Sequence, residues 1–250
     1  MSGGPVATLD PWRALREATR ARVALGRAGS ALPTRALLAF ELDHARARDA
    51  VHRSLDVART VERLQRLGLS TLEVESAVGD RAEFLLRPDL GRRLSDGSAT
   101  RLGAGHAACD VLFVVADGLS AEGVERSAVD VIEAMRPLLD GLTVGPVVVA
   151  TQARVALGDA IGAALNARLV VLLIGERPGL TSPDSVGAYL TYAPRIGRHD
   201  AERNCVSNIR PEGLPPAAAA AKIAWLVRAA LRRSTSGVIL KDESGTGRLE

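Results

Sequence analysis

Apolar positions follow two different rules along this chain, and the change falls near residue 105. Before it they recur three or four residues apart among many arginines, the spacing of amphipathic helices. Beyond it they gather into short unbroken runs. Asp110–Ala116, Pro146–Ala150 and Leu169–Ile174 each read as a strand buried on both faces. Helices are expected between them, from the turn at 117–120 to Leu139 and over Val155–Ala167. This alternation predicts an α/β fold. Residues 105–250 are expected to form a doubly wound, Rossmann-like parallel sheet with right-handed crossovers, and residues 1–104 a mainly helical region before it.

Within the first region, Asp10 precedes Pro11 and Trp12 as a helix N-cap before a proline at the first helical position. Helical spacing continues from Trp12 to Leu25 and stops at Gly26 and Gly29. Two more helices are expected over Arg35–Ala50 and Leu55–Leu67, with Gly68 as C-cap. Thr71–Val74 could form a short strand, and Arg87, Pro88 and Asp89 force an extended or turn step. Near the other end, residues 175–214 read as one long loop, rich in Gly, Pro, Asn and Arg. Ala217–Arg233 contains neither Gly nor Pro and reads as a closing helix.

Composition narrows the function. Hydrophobic residues at 47% and charged residues at 24% suit a globular chain rather than a disordered one. No apolar run reaches the roughly 18 residues of a membrane-spanning helix, and the N-terminus does not read as a signal peptide. Of the 32 basic residues only Lys222 and Lys241 are lysine, so the surface favours bidentate anion contacts and interface anchors. Aromatics at 3% are too few for base-stacking platforms, which argues against nucleic acid. Cys109 and Cys205 form neither a disulfide framework nor a CxxC site, and a reducing cytoplasm is the expected setting.

Ligands of such a sheet bind beyond the carboxyl ends of its strands. Three loops should meet there: 117–120, 151–155 and 175–179. In the first, Asp117 and Ser120 read as helix caps as readily as ligand groups. No GxGxxG or GxxxxGK[ST] string is present, so a pyrophosphate-binding fold is not supported. A GxSxG nucleophile elbow around Ser120 fails because position 122 is Glu. His44 and His52 could share a helix face but lack an HExxH pattern. Cys205 and His199 lie near each other without a third group to orient the base. The stretch 175–213 carries arginines at 177, 195, 198, 203 and 210, the composition of an interface or anion-binding loop.

Several strings carry a family resemblance. They include TRARVALGRAG over 19–29, HARARDAVH over 44–52, LRPDLGRRL over 86–94 and ADGLS over 116–120. RVALGD over 154–159, IGERPGL over 174–180, SPDS over 182–185, DAERNCVSNIRPEG over 200–213 and SGVILKD over 236–242 follow. Across residues 10–243 the chain resembles the small subunit of ethanolamine ammonia-lyase. That resemblance implies a radical conversion of ethanolamine to acetaldehyde and ammonia with adenosylcobalamin, base-on and shared with a TIM-barrel large subunit that carries the substrate site. It implies a hetero-oligomer of several heterodimers. It implies cofactor contacts at Val155, Glu176 and Cys205, with no catalytic residue and no metal ligand on this chain. The sequence has no DxHxxG string, by which some cobalamin domains offer cobalt a histidine. Cytoplasmic placement follows, with enclosure in a bacterial microcompartment left open by the short N-terminal tail. Residues 244–250 match nothing in the family pattern. The residues alone leave two other readings: a stand-alone α/β hydrolase using Ser120 or Cys205, and a scaffold whose arginine-rich loop binds only protein.

Overall fold

A computed structural model describes residues 11–103 and 105–245. The Asp10 cap and the tail before it lie outside the described residues. The first helix, α1 (Arg13–Ala18), is much shorter than its periodicity suggests. None of its side chains is buried, so nothing offsets the cost of extending it. The chain turns extended at Thr19, and Ala24 takes a left-handed φ of 50°. Helices α2 (Thr34–His52) and α3 (Val57–Arg66) match the expected pair closely. Asp56 caps α3 by accepting from the Arg59 amide, and Gly68, at φ +74°, closes it in a left-handed turn. Strand β1 (Thr71–Glu75) follows.

Two short helices then fill a stretch where periodicity is too brief to register. Helix α4 (Arg81–Leu86) starts at Asp80, whose carboxylate accepts from the Glu83 amide at 2.8 Å. Helix α5 (Asp96–Leu102) starts at Ser95, which accepts from the Ser98 amide. The remaining elements are β2 (Cys109–Ala116), α6 (Ala121–Met135), β3 (Val147–Thr151), α7 (Leu157–Ala164) and β4 (Ala167–Gly175). Then come β5 (Val186–Tyr192), β6 (Arg203–Ile209) and α8 (Pro216–Arg233).

All six strands form one sheet in the order β1-β3-β2-β4-β5-β6. The first four run parallel, as the buried runs suggest, and the sheet takes β1 from the region before residue 105. It departs from the expected all-parallel arrangement at its other end. Strands β5 and β6 pair antiparallel, Leu172 opposite Tyr189 and Tyr189 opposite Cys205. The stretch expected to be loop therefore holds two strands. Its Gly and Pro residues mark the connections, and the polar sequence of β6 hides a strand at the sheet edge, which has only one neighbour.

Both faces of the sheet are covered. Val111, Phe113 and Val115 of β2 pack with Leu64 of α3, Val131 and Ile132 of α6 and the apolar stripe of α8. That stripe is Ala219, Ile223, Ala224, Val227 and Leu231. Leu112, Val114 and Ala116 face the other way, towards Leu102 of α5 and Leu157 and Ile161 of α7. This alternation lets continuous apolar runs serve two cores at once. Among the described residues no helix is long and apolar enough to cross a membrane.

Strands β2 and β4 end in backbones packed closer than any side chain allows. Leu119 donates its amide to the Gly175 carbonyl at 2.9 Å. A Cβ on Gly175 would lie 2.2 Å from the Ser120 oxygen, and one on Gly118 2.3 Å from the Gly175 oxygen. Gly118 also sits at φ +53°. Gly175→Ala is expected to cost about 3 kcal/mol, read as a lowered urea midpoint, because backbone must move. Gly141→Ala, at φ +78° with open space around it, should cost only about 1 kcal/mol of conformational strain. Equal costs at the two positions would contradict this account of the crossing.

Candidate functional site

The three loops expected to converge do so at the carboxyl edge of the parallel strands. A cleft of about 390 Å³ is lined there by Gly118 and Leu119, Arg154 and Val155, and Glu176 and Arg177 among others. Tyr189 of β5 forms part of its wall. A second cleft, of about 570 Å³, adjoins it, since Arg154, Val155 and Tyr189 line both. Its far side carries Arg92, Arg93, His199 and Asp200.

Asp117 holds the loops after β2 and β3 together. It is buried, and it does not cap α6. One carboxylate oxygen accepts from the Gln152 amide at 2.8 Å, the other from the Ala153 amide at 3.0 Å. Gln152 reaches this position at φ +55°, which turns successive amides towards the acid. Arg81 of α4 reaches the same carboxylate at 3.2 Å. Burial pushes the Asp117 carboxyl upward, against the pull of those amides and of Arg81. Ser120 caps α6 as expected: its hydroxyl accepts from the Gly123 amide and donates to the Pro183 carbonyl at 2.7 Å.

Val155 and Glu176, expected from sequence to meet a ligand, line the same cleft half-buried. Glu176 is steered by a bulge. The β5–β6 register shifts between Val186 and Ala188, and Asn208 takes φ +58° there. The Asn208 amide, turned out of the ladder, donates to Glu176 Oε2 at 3.1 Å. Cys205 lines neither cleft directly. It sits on β6 opposite Tyr189 and is exposed. Partial desolvation pushes its thiol up, the Tyr189 phenol opposing. No hydrogen bond joins Cys205 to His199 among the described residues, so the pair does not form a nucleophile and base.

Two arginines of the long stretch are structural rather than ligand-facing. Arg203 grips Asp159 of α7 with two contacts, at 2.9 and 2.8 Å, both side chains buried. Arg210, also buried, lies 3.6 Å from Asp184. Sequence reading missed Tyr189, hidden in the unrecognised strand β5. It also gave no role to Arg154, which stacks over Phe84 with its guanidinium 4.1 Å from the ring centre. His44 stacks on Phe40 and is exposed. Among the described residues no group of three or more His, Cys, Asp or Glu is placed to hold a metal ion.

The sequence matches the family described as ethanolamine ammonia-lyase light chain over residues 9–241. The chain belongs to this family. It is 56% identical over 243 residues to the ethanolamine ammonia-lyase small subunit of Rhodopseudomonas palustris, covering 96% of this chain and 93% of that one. The Bradyrhizobium diazoefficiens small subunit is 56% identical, covering 96% and 94%. The Azotobacter vinelandii small subunit is 52% identical, covering 100% and 95%. Ethanolamine ammonia-lyase is a lyase, and its small subunit is part of the enzyme. Residues of the segments ADGLS, RVALGD and IGERPGL line the smaller cleft, together with Ala153 and Tyr189.

Tyr189 carries the clearest electrostatic signature of the site. Burial, then the Cys205 sulfur and the acids Glu176 and Asp200, push its phenol up to about 12. An acid whose folded-state value is raised destabilises the fold once pH climbs past its unfolded value near 10. At about pH 11 the native chain and Tyr189→Phe should therefore show the same phenolate absorbance. One extra phenolate in the native chain at that pH would contradict the buried placement.

Proposed function

We propose that this chain is the small subunit of an adenosylcobalamin-dependent ethanolamine ammonia-lyase, and that it holds one side of the cofactor against a TIM-barrel large subunit. Family membership supports the enzyme. The observation that carries the cofactor role is the meeting of Val155 and Glu176 in one cleft, with Tyr189 and Cys205 on its β5–β6 flank.

The donors and acceptors there fit a corrinoid, whose rim bears amides around an apolar macrocycle. Glu176 has acceptor capacity left after its bond to Asn208 and can take amide N–H groups. Val155 offers apolar surface to the ring, and Tyr189 and Cys205 supply a hydroxyl and a thiol at the margin. Cavities of about 390 and 570 Å³ admit part of such a molecule, as expected of a site completed by another chain. When bound, adenosylcobalamin supplies the radical chemistry, and protein supplies orientation and water exclusion. The tight Gly118–Gly175 crossing and the Asp117 clamp keep this wall rigid. On this reading the chain contributes no catalytic residue and no cobalt ligand, and the cofactor stays base-on. The substrate site belongs to the large subunit.

The helical region before residue 105 is proposed as a contact with that partner, in an assembly of several heterodimers. Only Ala50 of the 19 residues of α2 is buried. Trp12, Leu15, Leu37, Leu38, Phe40 and Leu42 are exposed around α1 and α2. So dense a set of exposed apolar side chains marks an interaction surface. The assembly is proposed to work in the cytoplasm, free or within a microcompartment.

Deamination assays should find activity only when both subunits and adenosylcobalamin are combined; full activity from the large subunit alone would end this reading. Within the complex, Val155→Trp should raise the Kd for cobalamin about tenfold or more by filling the cleft. Leu38→Glu should weaken subunit association about tenfold, measured by sedimentation, while leaving the thermal midpoint of the isolated chain unchanged. Undiminished association would move the interface elsewhere.

A further inference from the structure

The string LRPDLGRRL and the arginines it places near Arg154 have no part in the cofactor contacts proposed so far. Arg154 is held unusually firmly for a cation at a cleft. Its backbone amide donates to the Gly91 carbonyl at 2.8 Å, and its Nη2 donates to the Phe84 carbonyl at 3.0 Å. The Phe84 ring takes the guanidinium groups of both Arg154, at 4.1 Å, and Arg81, at 4.6 Å. A Cβ on Gly91 would lie 2.8 Å from Arg154 Cγ and would push the arginine from this position. Arg154 Nε is buried without a hydrogen-bond partner.

Arg92 and Arg93 follow Gly91 directly and line the larger cleft beside Arg154, and Arg177 lines the smaller one. None of these four makes an ion pair among the described residues. Their neighbours are already matched: Arg81 by Asp117, Arg203 by Asp159 and Arg198 by Glu202. The acids at the cleft are engaged as well. Glu176 accepts from the Asn208 amide, and Asp200 lies 3.5 Å from Arg203 Nε. Arg81, Arg92 and Arg177 all act on Arg154 as like charges, opposed only by Asp117. Arg92, Arg93 and Arg177 are exposed around the half-buried Arg154; like charges so gathered repel one another, and an anion between them relieves that repulsion.

We propose that Arg92, Arg93, Arg154 and Arg177 form an oxyanion site on the rim joining the two clefts, built for a phosphodiester. Guanidinium forks match paired anionic oxygens in charge and geometry. Cobalamin carries one such group, the phosphodiester of its nucleotide loop; this identification rests on the cofactor reading above. A carboxylate of the large subunit could supply the same chemistry. The test uses the complete two-subunit complex with Arg92→Gln, Arg177→Gln and Arg154→Lys, which keeps the charge but loses the guanidinium fork. Equilibrium dialysis measures hydroxocobalamin and dicyanocobinamide, which lacks the nucleotide loop. The expected result is an increase of about tenfold in the Kd for cobalamin with cobinamide unchanged. If instead both corrinoids bind as before and subunit association weakens about tenfold, the oxyanion is the partner's carboxylate and the phosphodiester assignment falls. No change in either quantity overturns the site itself. Failure of the native complex to hold either corrinoid would end the cofactor reading, and subunit association would then decide the anion site alone.

Discussion

A buried carboxylate with its charge shared among three donors organises the carboxyl edge of this sheet. Asp117 leaves β2, accepts from two consecutive amides of the loop after β3, and draws in Arg81 from a helix that precedes the sheet's central strands. Immediately after it, Gly118 lets the chain press against Gly175 at the end of β4. Three strand ends are thereby locked into one surface. Removing the acid would leave Arg81 buried and unmatched, a loss of about 3–5 kcal/mol by the usual behaviour of such pairs. The positions of Val155 and Glu176 depend on this arrangement, because each lies within a few residues of a clamped backbone.

On the proposed reading the site is a wall, and the reaction centre belongs to the partner. Its one strongly perturbed phenol stays neutral across the physiological range. What it offers is a fixed surface of mixed chemistry, apolar at Val155, accepting at Glu176 and basic around Arg154. Such a surface suits a large cofactor that brings its own reactivity. The exposed apolar side chains of α1 and α2 complement it, since a wall needs something to face.

Much of the parallel core could be read from sequence because burial on both faces leaves an unmistakable pattern. Asp110–Ala116 has no polar residue after its first position, and only a central strand tolerates that. The convergence of three loops followed from the same pattern and the geometry of parallel sheets. Strands β5 and β6 escaped notice for a physical reason. Antiparallel strands at a sheet edge need no continuous apolar run, and the sequence RNCVSNI of β6 reads as loop. Tyr189 went with them. Asp117 was visible, but its partners were not: the left-handed turn at Gln152 that aims two amides at it has no local signature. Arg203 and Arg210 read as ligand groups because their buried acids, Asp159 and Asp184, are remote in sequence. The resemblance named Val155, Glu176 and Cys205 together; the fold brings the first two into one cleft and leaves Cys205 on the flanking strand β6, outside the cleft lining.

Hydrogen–deuterium exchange on the two-subunit complex, with and without cobalamin, tests the central claim most directly. If this chain forms one side of the cofactor site, added cobalamin should slow exchange at 117–120, 152–156, 175–179 and 204–208, while α5 and the outer face of α8 remain unchanged. Protection confined to the large subunit, with those four segments unaffected, would contradict it.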